Sequence, residues 1–152
     1  MSLQTFFFDD FKPGQVYETA RRTISEADFV NFTTSYGFFE PIFMDRDFVT
    51  THTPYKKPVV PGALTFSMAE GLAILTGILH SGMAFLGVQL DILKPVFIGD
   101  TVSVHIEVVE TRRTKKPGRG IVTFRHRVIN QDGEEVVIYT VKRMMRQRSN
   151  SD

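Results

Sequence analysis

Cysteine is absent from the 152 residues, which excludes disulfides and thiolate metal centres. A basic excess is missing too. Eighteen Lys and Arg stand against 17 Asp and Glu, and a net charge of +1 argues against a nucleic-acid binder. No internal repeat, low-complexity block or linker divides the chain, so residues 1–152 read as one domain, long enough to bury a core without staples. From about 146 to 152 the tail is expected to fray. No basic stretch precedes the short aromatic run Phe6-Phe7-Phe8, so no signal peptide is expected. The longest apolar stretch, Val59 to Leu79, is interrupted by Gly62, Glu70, Gly71 and Gly77, so no membrane span is expected either. A cytoplasmic protein is the resulting expectation. His80, His105 and His126 show no ligand spacing with one another or with acids, so neither a metal nor another cofactor is expected.

The residues present alternate between two periods. Val16 to Ile24 reads as a strand entered through the turn Lys12-Pro13-Gly14. Ser25 followed by Asp28 is a helix start, and Phe29, Val30, Phe32 and Tyr36 lie near one face before Gly37. Pro41, Pro54, Pro58 and Pro61 then forbid a long helix, although Asp45 can cap one short turn. Beyond Pro61-Gly62, Ala63 to Leu79 is apolar around nearly the whole helical circumference. Such a helix needs cover on all sides, from a wrapping sheet or a partner chain. After Gly82 the pattern has period two, with Val102, Val104, Ile106 and Val108 on one face. Turns fall at Gly99-Asp100, Pro117-Gly118 and Asp132-Gly133, giving a meander of about four strands. The order predicts an α+β hot-dog fold: a long buried central helix, an antiparallel sheet of about five strands wrapped around it, and an N-terminal helical overhang.

Two stretches carry a family likeness: Pro58-Val59-Val60-Pro61-Gly62-Ala63-Leu64-Thr65 and Leu93-Lys94-Pro95-Val96-Phe97-Ile98-Gly99-Asp100-Thr101-Val102. With Phe11-Lys12-Pro13-Gly14-Gln15 and Thr23-Ile24-Ser25-Glu26-Ala27-Asp28, they resemble MaoC-like acyl-CoA hydratases and dehydratases, from about Phe8 to Met144. The resemblance implies a lyase that hydrates trans-2-enoyl thioesters or dehydrates 3-hydroxyacyl thioesters. It also implies a homodimer or higher oligomer with the acyl tunnel between subunits. The family signature Gly-Asp-x-Asn-Pro-x-His corresponds here to Gly37-Phe38-Phe39-Glu40-Pro41-Ile42-Phe43. Phe38 and Phe43 thus occupy the places of the proton-handling Asp and His, and neither ring can carry a proton. General acid–base catalysis contributes roughly 10²–10⁴-fold, so the ordinary hydration route loses its carriers. Gly62 matches the glycine whose N–H donates to the thioester carbonyl. Pro61 stands where the family often has histidine, and Phe38, Pro41 and Phe43 would make the pocket drier.

Other side chains are candidates for replacement chemistry. Glu70 lies eight residues after Gly62, at about the place where hot-dog thioesterases carry a catalytic acid. The structural alternative is a carboxylate paired across a dimer interface or capping backbone. The placement of His52 upstream of the Pro-Gly helix start is similar to the loop histidine of the short hot-dog dehydratases of fatty-acid synthesis, although a loop histidine is more often simply solvated. Glu40 sits at the signature's amide position, where it can pair with a base or cap the next turn. Arg112, Arg113, Lys115, Lys116 and Arg119 flank a turn; they form either a solvated loop or a grip for coenzyme A phosphates or an acyl carrier protein. Three functions stay open: a hydratase-lineage enzyme on an acyl-CoA or carrier-protein thioester, an acyl-CoA thioesterase using Glu70, and a non-catalytic acyl-thioester binder.

Overall fold

A computed structural model of the chain describes residues 4–149. Its elements, in order, are β1 (Val16–Glu18), β2 (Arg22–Thr23), α1 (Glu26–Tyr36), α2 (Pro41–Met44), α3 (Arg46–His52), α4 (Gly62–Leu75), β3 (Gly82–Ile92), β4 (Thr101–Arg113), β5 (Arg119–Ile129) and β6 (Glu135–Arg146). All pairings are antiparallel, and the sheet order is β1-β4-β5-β6-β3, with β2 also on β4. This is the expected hot-dog architecture. α4 packs on the face formed by Val104, Ile106 and Val108 of β4, Val122 and Phe124 of β5, and Val141 of β6. No helix among the described residues is long and apolar enough to cross a membrane.

Local chemistry explains most boundaries. The Ser25 side chain accepts from Asp28 N–H while Asp28 accepts from Ser25 N–H, a reciprocal cap that starts α1. Gly37 ends that helix at φ 73°, a conformation side chains resist. Asp45 caps α3 by accepting from Phe48 N–H at 3.0 Å. The helical overhang is therefore α1 to α3.

Several expectations differ from what the chain does. The strand expected from Val16 to Ile24 is split, because the Thr19 side chain accepts the bond from Val104 N–H that strand backbone would otherwise take. The last four strands are not a plain meander. β3 pairs with β6, the final strand, so β4-β5-β6 is the meander and β3 closes onto its far side. The central helix stops at Leu75, where Thr76 N–H turns back to Ala73 O and Gly77 takes φ 86°. α4 is also not covered all round by its own sheet: Ala63, Ser67, Gly71, Ile74 and Leu75 stay exposed. Arg146, where fraying was expected to start, is still in β6. Gln147 and Arg148 bond to Asp9, and Arg148 also pairs with Asp10; residues 150–152 lie outside the described range.

Those contacts belong to an aromatic N-terminal segment that seals the far end of the sheet. Phe11 meets Phe124 edge-on at 5.3 Å, and buried Phe8 lies against Gly120 of β5. A Cβ on Gly120 would fall 2.2 Å from the Phe8 ring. Gly120→Ala is therefore expected to lower unfolding free energy by about 1–3 kcal/mol in urea titration, the usual range for overpacking.

Candidate functional site

The start of α4 is built by a proline-rich loop pinned to the β3–β4 connection. Val59 bridges Phe97, and Val60 N–H donates to Val96 O at 2.7 Å. Pro61 follows in an extended conformation (ψ 134°) and makes Gly62 the first helical residue. The Pro61 carbonyl accepts from both Leu64 N–H and Thr65 N–H. Gly62 N–H has no partner among the described residues, as the first amides of a helix do unless something outside supplies one. A Cβ there would come within 2.9 Å of the tip of the Ile92 side chain, which would have to shift to admit it.

A cavity of about 310 Å³ opens at this point. Phe43, Gly62, Thr65, Ile92, Val96 and Val137 contribute to its walls, and its titratable wall residues are Tyr55 and Lys94. Among the described residues, no carboxylate or imidazole lines it. Phe43 comes from α2, and Phe38 packs behind it at 6.1 Å between ring centroids, itself backed by Phe32 at 5.2 Å. One signature-position ring thus forms wall and the other supports it. The cavity is a place where a partial negative charge would meet a helix N-terminus beside mostly apolar walls.

The structure does not gather the other candidates around this cavity. Glu40 is exposed and contributes its backbone carbonyl to the start of α2, with Pro41 exposed beside it. His52 is exposed at the end of α3, bonded to Thr51 through Nδ1 and stacked on Phe48. Arg112 and Arg113 end β4 at the edge of the sheet remote from the Val59–Phe97 bridge. Arg112 is eleven residues from Thr101, about 36 Å at the usual strand rise.

Glu70 is two turns deeper along α4, with both carboxylate oxygens engaged. One accepts from the Tyr139 hydroxyl at 2.8 Å and the other pairs with Arg143. These partners are intrachain, on β6, rather than across an interface. His126 of β5 completes the cluster, its ring 4.4 Å from that of Tyr139. Burial, and then the Glu70 carboxylate, push the Tyr139 phenol above its ordinary pKa. His126 is fully buried, and neither ring nitrogen has a hydrogen-bond partner. Burial first, then the Arg143 charge, lower its pKa to about 3, so it is neutral. Glu70 lies 3.9 Å from His126 Nδ1, but its charge is already committed to Arg143. Sequence reasoning found Glu70 without these partners. The available signal was strand periodicity, which places Tyr139, Val141 and Arg143 on one inward face.

Comparison with known proteins fits this geometry. The MaoC like domain model matches residues 10–130. The (R)-specific enoyl-CoA hydratase of Aeromonas caviae is 31% identical over 120 residues, covering 79% of this chain and 84% of that protein. A crystal structure described as a monoamine oxidase regulatory protein from Archaeoglobus fulgidus superposes with a TM-score of 0.88 at 31% identity, covering 98% of this chain and all of that one. A Mycobacterium tuberculosis protein described as a double hotdog fold superposes at 0.85 and 23% identity, covering 96% of this chain and 46% of that one, a likeness of fold alone.

The buried imidazole makes stability depend on pH. Its folded pKa lies below the unfolded value near 6.5, so the unfolded chain takes up the proton first as pH falls. That contribution is fully present above pH 6.5 and is lost progressively from there down to about pH 3. Unfolding free energy is expected to drop by about 2 kcal/mol between pH 7 and pH 5 from this group. His126→Leu should flatten that slope, measured by urea denaturation at each pH.

Proposed function

This chain belongs to the MaoC-like domain family, and from that premise we propose that its cavity binds the acyl thioester of coenzyme A, in the cytoplasm, with the thioester carbonyl oxygen on Gly62 N–H. The observation that carries the reading is the unpartnered amide at the first residue of α4, opening into an apolar cavity. A thioester carbonyl is a weak acceptor in water, and it gains most from a fixed donor where water is excluded. The same reasoning extends to a thioester on an acyl carrier protein. Addition or removal of water needs no redox cofactor, and none is proposed.

Turnover is the second half of the reading. The cavity wall has no carboxylate and no imidazole, and its overhang side presents Phe43 backed by Phe38. We therefore assign acyl-thioester binding as the primary activity, with hydration reduced by roughly 10²–10⁴-fold relative to a site with an acid–base pair. Hydrolysis through Glu70 is not favoured. Its carboxylate is neutralised by Arg143, occupied by Tyr139, and absent from the cavity wall. Glu40 and His52, both exposed, have no part in the reading.

A second chain completes the assembly we propose. β3 is an eleven-residue edge strand with its outer edge unpaired, and Met83, Phe85, Leu86, Val88, Ile92 and Leu93 along it are about half exposed. A long apolar edge of this kind invites another strand. Pairing two β3 edges would give a homodimer with a continuous sheet.

Two measurements test these proposals. Purified protein is incubated with trans-2-butenoyl-CoA and with butyryl-CoA while enoyl absorbance and free thiol are followed together. Binding of both, slow loss of enoyl signal and no thiol release are expected. Thiol release abolished by Glu70→Gln would replace the reading with hydrolysis, and no binding of either would remove it. Separately, sedimentation at micromolar concentration should give a dimer, shifted towards monomer in Leu86→Lys; a monomeric parent protein would contradict the edge pairing.

A further inference from the structure

Hydroxyl-bearing residues in these helices nearly all satisfy themselves. Thr33 donates to Phe29 O at 2.8 Å, Thr34 to Val30 O at 2.6 Å, and Thr51 to Asp47 O at 2.8 Å. In α4 itself, Ser67 donates to Ala63 O at 2.8 Å. Turning the hydroxyl back onto the carbonyl four residues earlier is the ordinary solution for a helical Ser or Thr. Thr65 is the buried exception. It is 1% exposed, and its Oγ1 has no hydrogen-bond partner.

The reason is local. The carbonyl four residues before Thr65 belongs to Pro61, and it already accepts from Leu64 N–H at 2.9 Å and Thr65 N–H at 3.2 Å. Two amides already crowd that carbonyl, and the hydroxyl does not turn back onto it. A buried donor with no partner is costly, and valine would fill the same space without that cost. Thr65 also lines the cavity that Gly62 lines. Positions i and i+3 of a helix lie on one face, so Gly62 and Thr65 stand side by side on the wall of one cavity.

We propose that Thr65 is a ligand-binding residue whose hydroxyl donates to the same oxygen as Gly62 N–H, so that the site grips its ligand's carbonyl with two donors. This rests on the thioester reading of the cavity and adds a side chain to it. A single backbone donor fixes a carbonyl in only one direction; a second from the next helical turn sets its orientation as well. The grip acts on a saturated thioester as readily as on an unsaturated one, because it needs no chemical step. Where a nucleophile adds to a conjugated enoyl group, the carbonyl oxygen gains negative charge, and two donors would hold it more strongly than one.

The test separates a liganding hydroxyl from a merely buried one. Thr65→Val and Thr65→Ser are compared with the parent protein by thermal melting and by calorimetric binding of butyryl-CoA and of free coenzyme A, which lacks the carbonyl. Thr65→Val should melt no lower than the parent, bind butyryl-CoA about three- to tenfold more weakly, and bind coenzyme A unchanged. Thr65→Ser should stay within about twofold of the parent. The carbonyl stretch of bound, carbonyl-labelled butyryl-CoA should move to higher frequency in Thr65→Val as a donor is lost. Should Thr65→Val fail to fold, Thr65→Ala reads the same quantities. Equal butyryl-CoA affinity and an unshifted carbonyl band would overturn the role of Thr65 and leave the thioester reading standing, as would an equal loss for coenzyme A. A parent protein that binds no butyryl-CoA would overturn the thioester reading, and this inference with it.

Discussion

Removal of water from α4 by the concave face of the sheet governs the rest of this protein. The sheet-facing residues Leu64, Met68, Ala69, Leu72 and Ala73 are buried against β4, β5 and β6, and the apolar area involved is the main source of folding energy. The same dehydration raises the stakes for every polar group along the helix. At its start an amide and a hydroxyl lack protein partners. In its middle a carboxylate is tolerable only because Arg143 and Tyr139 come to meet it. Exposed on a surface helix, none of these groups would carry much meaning.

Two polar stations on one helix have opposite characters. The Glu70 station is closed: its charges are matched, and His126 is held neutral beside them. Removing one member leaves another unpaired, so the cluster acts as a clasp between helix and sheet. At the Gly62 station, an amide and a hydroxyl beside a cavity have no acceptor among the described residues. That asymmetry separates a structural carboxylate from a binding site. Phe43, backed by Phe38, reinforces it by placing on one side a ring that moves no proton.

The fold was legible because its signals are periodic and local. Ser25 with Asp28, Gly37, Asp45 and Asp132-Gly133 each announce a cap or turn through their own chemistry, and the alternation from Val102 to Val108 marks the buried face of β4. The pairing of β3 with β6 was not legible, since alternation tells which way a side chain points and nothing of which strand lies beside it. Gly62 was legible through its family likeness. The isolation of Glu70 from that site was not, because its partners lie 69 and 73 positions further along the chain. Thr65 was in plain view within a quoted motif. Its significance depended on Pro61 O being doubly occupied, a fact of geometry that spacing does not display.

The closure of β3 onto β6 has a consequence for how the protein is made. During synthesis α4 leaves the ribosome before every long strand that will shelter it, and β3 must wait for the last strand of all before it gains a neighbour. Nascent chains of this protein therefore carry this apolar helix without any of its long strands until β4, β5 and β6 follow it.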